Sequence, residues 1–131
     1  MGVPDAGFPV EVIKSVPVVE APEDIDITNA AGLRTALRQA AARGHGTFVV
    51  DMSQTQFCDT AGIHALVGAH KRARADGGQV LLVIGGAAVA RILSITGLDR
   101  VIPNFASLEQ ALAVTRLGPA GSPGPWSSGL P

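Results

Sequence analysis

In the stretch "FCDTAGIHALV", residues 57–67, an acid and a hydroxyl stand side by side at Asp59 and Thr60, just ahead of a glycine and an apolar run. The pair admits three chemistries. Asp59 can cap a helix, its carboxylate accepting a hydrogen bond from a first-turn amide. Capping leaves Thr60 unexplained, because a β-branched hydroxyl in a first helical turn has no special helical advantage. A phosphoryl group on Thr60 would lie close to free backbone amides and the positive end of the helix dipole, an arrangement that stabilises anions. The third chemistry is catalysis by Asp59, Thr60 and His64, one turn along, but no glycine-rich oxyanion turn or metal set supports it.

Other candidate groups have plainer readings. His64 and His70 are six residues apart, which puts them on different helix faces and rules out the usual i, i+4 zinc spacing. His70 lies at the edge of an apolar stripe and reads as a packing residue, and His45, in "RGHGT", as an exposed turn residue. His64 projects from the same end as Thr60 and is a candidate partner contact. "DIDIT", from Asp24 to Thr28, resembles the D-x-D-x-T string of haloacid-dehalogenase-like phosphohydrolases, in which the first Asp attacks phosphorus and the second moves a proton. That string needs a buried strand directly ahead of it, and here Pro22 and Glu23 intervene. Acids and a Thr leading into a helix N-terminus explain it as well. "IGGAA" lacks the Lys-Ser or Lys-Thr of a phosphate loop and reads as a strand-end turn. "HKRARADG" is a dense positive cluster that, on a helix, forms a solvated face; without aromatic partners it does not point to nucleic acid.

The elements that must position these groups follow from periodicity. "PVEVIKSVPVVEA" gives two short β-branched runs, expected as an edge pair of strands, with Pro17 at a strand start or edge. In "AAGLRTALRQAAARG", Leu33, Ala36, Leu37, Ala40 and Ala41 recur at helical spacing while Arg34 and Arg38 point away. Thr28 or Asn29 can cap that helix and Gly44 can end it. "TFVVDMS" is apolar throughout, as a central strand covered on both faces must be. Ile63, Leu66, Val67, His70 and Ala73 mark one face of the next helix, which ends near "ADGG". "QVLLVIGG" is a second buried strand, "AAVARILSITG" a third helix, "DRVIPNF" a brief strand and "SLEQALAVTRL" a last helix capped by Ser107. Residues 52–59, "MSQTQFCD", make a long strand-to-helix loop at the carboxyl end of a central strand, where α/β proteins commonly place ligand sites.

This progression predicts an α/β fold: one domain over residues 8–117, with a four- to five-stranded mixed sheet and about four helices packed against it. Residues 1–7 are expected to be a flexible N-terminus and residues 118–131 a disordered tail, rich in Gly, Pro and Ser and broken only by Trp126. At 131 residues the chain is too short for two comfortable cores, and with 47% hydrophobic but 4% aromatic residues its core is aliphatic. A formal net charge of -1 gives no long-range pull on nucleic acid or anionic lipid. The longest apolar segment, "VLLVIGGAAVA", is too short to cross a bilayer and no secretory signal opens the chain, so a cytoplasmic protein without membrane insertion is expected. Cys58 is the one cysteine, which leaves no internal disulfide or thiolate-rich metal site, and no metal or cofactor is expected.

The order Phe57, Cys58, Asp59, Thr60, Ala61, Gly62, Ile63 after a strand and loop, with the downstream "ILSITGLDRVIPNFASLEQAL", resembles the STAS domain of bacterial anti-sigma-factor antagonists. The likeness covers residues 8–117 and is strongest over 47–112. It implies a switch protein without catalysis of its own. Thr60 would be phosphorylated by an anti-sigma factor with serine/threonine kinase activity, and a phosphatase would restore it. The unmodified form would bind that anti-sigma factor and free a sigma factor for transcription. The partner-binding residues implied are Asp26, Cys58, Asp59, Thr60, Ala61, Gly62, Ile63 and His64. Domains similar to this one also serve as subunits of lipid-transport and stress-sensing complexes. Two departures stand out: "EDID" keeps Asp26 but lacks the family's turn glycine, and Thr replaces the frequent acceptor Ser.

Overall fold

A computed structural model describes residues 8–116. The expected flexible segment 1–7, the expected tail 118–131 with Trp126, and Leu117 lie outside the described residues. Among the described residues the first elements are strands β1 (Val10–Ile13) and β2 (Val16–Glu20), which pair antiparallel from Val10 opposite Val19 to Ile13 opposite Val16. Lys14 and Ser15 join them with φ of 53° and 70°, the two successive positive values of a type I′ hairpin turn. β4 (Phe48–Met52), β6 (Val80–Ile84) and β7 (Asn104–Phe105) complete a mixed five-stranded sheet of order β1-β2-β4-β6-β7, parallel from β2 onward.

β2 is thus an interior strand and not an edge. Pro17 is tolerated there because it lies opposite Val12 of β1, and the parallel ladder to β4 begins only at Val18. The strands alternate their apolar side chains between two cores. Val19, Val50, Val80 and Leu82 face helices α1 (Ala30–Arg43), α2 (Thr60–Ala75) and α3 (Ala87–Thr96), meeting Leu33, Leu37, Leu66, Val89 and Leu93. Val18, Val49, Leu81 and Val83 face α4 (Leu108–Arg116) through Ala111 and Leu112. Continuous apolar runs are what a sheet covered on both faces requires.

Helix ends follow the sequence with small changes. Ser107 Oγ accepts from Gln110 N at 3.2 Å, and Gln110 Oε1 accepts from Ala106 N at 3.1 Å, a reciprocal cap on α4. Gly44 ends α1 with φ of -104°, and the left-handed turn comes one residue later, at His45 and Gly46. "DRVIPNF" yields only the two strand residues Asn104–Phe105, because a 3₁₀ turn at Leu98–Arg100 occupies its start. The expected loop over 52–59 contains a further strand, β5 (Phe57–Cys58), which pairs parallel with β3 (Asp24–Ile25) in a separate two-stranded ribbon.

Candidate functional site

The β3/β5 ribbon builds the site. Because the two strands run parallel, Asp24 opposite Phe57 and Ile25 opposite Cys58, the chain leaves both at the same end. Asp59 N donates to Ile25 O at 3.0 Å and carries the pairing one step past the strands. The residues after β3, Asp26 to Thr28, therefore emerge beside those after β5, Asp59 and Thr60. The connection from β4 is tied down on its way: buried Thr55 donates from Oγ1 to Pro22 O at 2.8 Å, and Gln56 N donates to Glu23 O at 2.7 Å.

Asp59 is the N-cap of α2. Its backbone is extended, and Oδ1 accepts from Ala61 N at 2.9 Å and from Gly62 N at 3.3 Å. Two first-turn amides that the sequence reading treats as free are therefore already taken. Thr60 is the first helical residue and its side chain is exposed. His64, one turn along, is also exposed, and Ala61 is half-buried.

Three of the expected contact residues face inward. Cys58 is 2% exposed, and Gly62 and Ile63 are buried. A methyl group at position 62 would come within 2.6 Å of both Cys58 Sγ and Ile25 Cγ2, so only glycine lets the first turn of α2 settle onto the ribbon. Burial, with the Asp59 charge adding to it, pushes the Cys58 thiol up to about 12, so it stays protonated and inert near neutrality. Cys58, Gly62 and Ile63 thus lie buried beneath the ribbon end that carries exposed Thr60.

On the neighbouring turn, Asp26 Oδ1 accepts from Thr28 N at 2.9 Å and from Thr28 Oγ1. The Thr28 hydroxyl first, then the Thr28 amide, hold the Asp26 carboxyl below the usual carboxylate range. Asn29 braces the same turn, accepting from Asp26 N and donating to Asp24 O, each at 2.9 Å. The side chain of Asn29 thus closes the turn instead of capping α1. Asp26, the second acid of "DIDIT", is thus bound up in the turn that leads into α1.

Sequence reasoning did not single out two apolar side chains that stand exposed on the ribbon and its turn. Ile27, at the tip of the Asp26 turn, is 77% exposed, and Phe57, on β5, is 45% exposed. Recognising them needed the ribbon pairing, since Ile27 alone reads as one more residue of a loop.

A small α/β domain with a hairpin edge, a parallel sheet and an acid-hydroxyl pair at the head of its second helix is the class that fold and site define. The chain belongs to the STAS domain family, whose model matches residues 8–111. It is 31% identical over 105 residues to a protein of Mycobacterium tuberculosis named as an anti-anti-sigma factor, covering 79% of this chain and 71% of that one. The crystal structure of an anti-sigma factor antagonist from Mycobacterium paratuberculosis superposes with a TM-score of 0.76 at 28% identity, covering 88% of this chain and 99% of that one. The Bacillus cell fate determinant SpoIIAA in its phosphorylated form shares the fold, with a TM-score of 0.64 at 20% identity over 83% of this chain and 99% of that one. No helix among the described residues is long and apolar enough to cross a membrane.

Proposed function

We propose that this protein is an anti-sigma factor antagonist whose docking is switched by phosphorylation of Thr60. In the unmodified state the ribbon end, with Asp26, Ile27, Phe57, Asp59, Thr60, Ala61 and His64, meets an anti-sigma factor that is also a serine/threonine kinase, and a sigma factor is released. Transfer of a phosphoryl group to Thr60 Oγ1 weakens the complex, and a phosphatase resets it. The names of the mycobacterial relatives support the partner class.

The observation that carries the reading is an exposed hydroxyl at the first position of α2, beside a carboxylate already committed to the helix amides. Phosphothreonine adds about -1.5 to -2 charge at pH 7. The helix dipole offsets about 0.3–1 kcal/mol of this, so the fold tolerates it. Asp59 has taken the Ala61 and Gly62 amides, so much of the added charge stays turned toward any docked surface. The cost of drying a dianion beside the Asp59 carboxylate, whose repulsion strengthens as water is excluded, then opposes association. A hundredfold loss of affinity needs only about 2.8 kcal/mol.

Incubation with the cognate kinase and ATP, followed by mass spectrometry, tests the assignment. Phosphate on Thr60 is the expected result; phosphate elsewhere, or none, counts against it.

A further inference from the structure

The net charge of -1 conceals a strong local asymmetry. α1 and α2 lie against each other and together carry Arg34, Arg38, Arg43, Lys71, Arg72 and Arg74, six of the chain's 10 Lys and Arg, and none of its 11 Asp and Glu. Between the two helices runs a groove of about 160 Å³. Its floor is apolar, with Leu37 and Ala65 buried and Phe48 fully so, and its rim is Arg34, Arg38, Arg72 and His64. Each wall is one helical stripe: 34, 37, 38 and 41 on α1, and 64, 65, 68, 69 and 72 on α2. Gly68 lines the groove, and a methyl group there would meet no atom within 4 Å, so the position borders open space. Thr60 is one turn before His64, about 6 Å along the helix axis, so the groove continues the surface around the switch residue.

We infer that this groove docks an acidic helical segment of the protein partner, which inserts one apolar side chain between α1 and α2 while its carboxylates meet the arginine rim. The inference rests on the reading of α2 as the partner-facing helix and extends that footprint beyond Thr60. Size selects the occupant. A cavity of about 150 Å³ holds one benzene-sized group, whereas cofactor and substrate pockets run to about 300–1,000 Å³. One leucine or phenylalanine side chain fits; a nucleotide does not. Single-stranded nucleic acid is held by stacking successive bases on exposed aromatic rings, and of the two rings lining this groove Phe48 is fully buried, which leaves His64 alone exposed. An amphipathic helix laid in a groove by an apolar anchor has the matching chemistry.

The test is a titration of the full, ¹⁵N-labelled chain with a synthetic helical peptide that has one central leucine and glutamates around it. Saturable amide shifts at Leu37, Ala65, Gly68 and Ala69, with a dissociation constant of about 1 mM or tighter, are expected. Arg34→Glu combined with Arg38→Glu weakens binding at least about tenfold, and Gly68→Leu, which plugs the groove with a good helix former, abolishes it. Unchanged thermal melting of each variant keeps a loss of binding from being a loss of fold. No saturable shift, equal binding of a peptide with lysines for the glutamates, or shifts that persist in Gly68→Leu overturn the inference. Tighter binding of an oligothymidine to the same arginines overturns it in favour of nucleic acid. Because the peptide is synthetic and Thr60 stays unmodified, failure here leaves the phosphorylation reading standing, and failure of Thr60 to be phosphorylated leaves the groove standing.

Discussion

Replacing Gly62 by alanine probes how α2 is seated on the β3/β5 ribbon, and so what holds Thr60 in place. The new methyl would lie 2.6 Å from Cys58 Sγ and 2.6 Å from Ile25 Cγ2, against an ordinary van der Waals contact of 3.4–4 Å. Both neighbours must give, or the helix must lift, by roughly 0.8 Å to reach ordinary contact, and Ile25 is fully buried. Overpacking of this kind costs about 1–3 kcal/mol, and replacing a helical glycine by alanine returns about 0.5–1 kcal/mol. The net expectation is a loss on the order of 1–2 kcal/mol, read as a lower urea midpoint at unchanged slope. Cys58→Ala removes one of the two clashing atoms, so the double variant Cys58→Ala/Gly62→Ala should be more stable than the sum of the single changes by at least about 0.5 kcal/mol. A Gly62→Ala protein that is more stable than wild type, as helix propensity alone requires, would refute the reasoning.

Asp59→Ala frees the Ala61 and Gly62 amides and should cost about 1 kcal/mol, whereas Asp59→Asn, which keeps a capping oxygen, should cost clearly less; equal losses in urea unfolding would mean that the cap is not what Asp59 contributes. Burial first, then the Arg74 charge, hold His70 below the ordinary histidine value, and its Nδ1 accepts from Val80 N at 3.3 Å, which requires the neutral ring. The unfolded chain therefore binds the proton more readily, so the stability from neutral His70 is complete above about pH 6.5 and is lost as pH falls through the depressed folded value. The urea midpoint should fall on acidification from pH 7.5 toward 5 and fall less in His70→Leu; a midpoint that rises instead contradicts this.

The sequence announces most of the sheet and all four helices, because continuous apolar strands and 3.6-residue stripes each have one packing solution. It conceals what depends on pairing across the chain. The β3/β5 ribbon joins residues more than thirty positions apart through two positions each, too few for a period to register. Lys14 and Ser15 form a positive-φ turn without the Gly or Asn that usually signals one, held there by the strands on either side. At the site, Asp59 as cap and Thr60 at the helix head are legible from adjacent residues alone. Spacing cannot show that Cys58 and Ile63 turn inward, because adjacency in sequence says nothing of which side of the ribbon is solvent. The Arg-rich groove escapes for a related reason: the basic residues of "HKRARADG" are the solvated face expected, but that Arg72 stands across a groove from Arg34 and Arg38 of α1 depends on how the two helices pack.

The most direct test of the switch is calorimetric titration of the anti-sigma factor kinase with two preparations of this protein, unmodified and phosphorylated on Thr60. An affinity at least about a hundredfold weaker for the phosphorylated preparation, equivalent to about 2.8 kcal/mol, is the predicted result. Equal affinities for the two would contradict it.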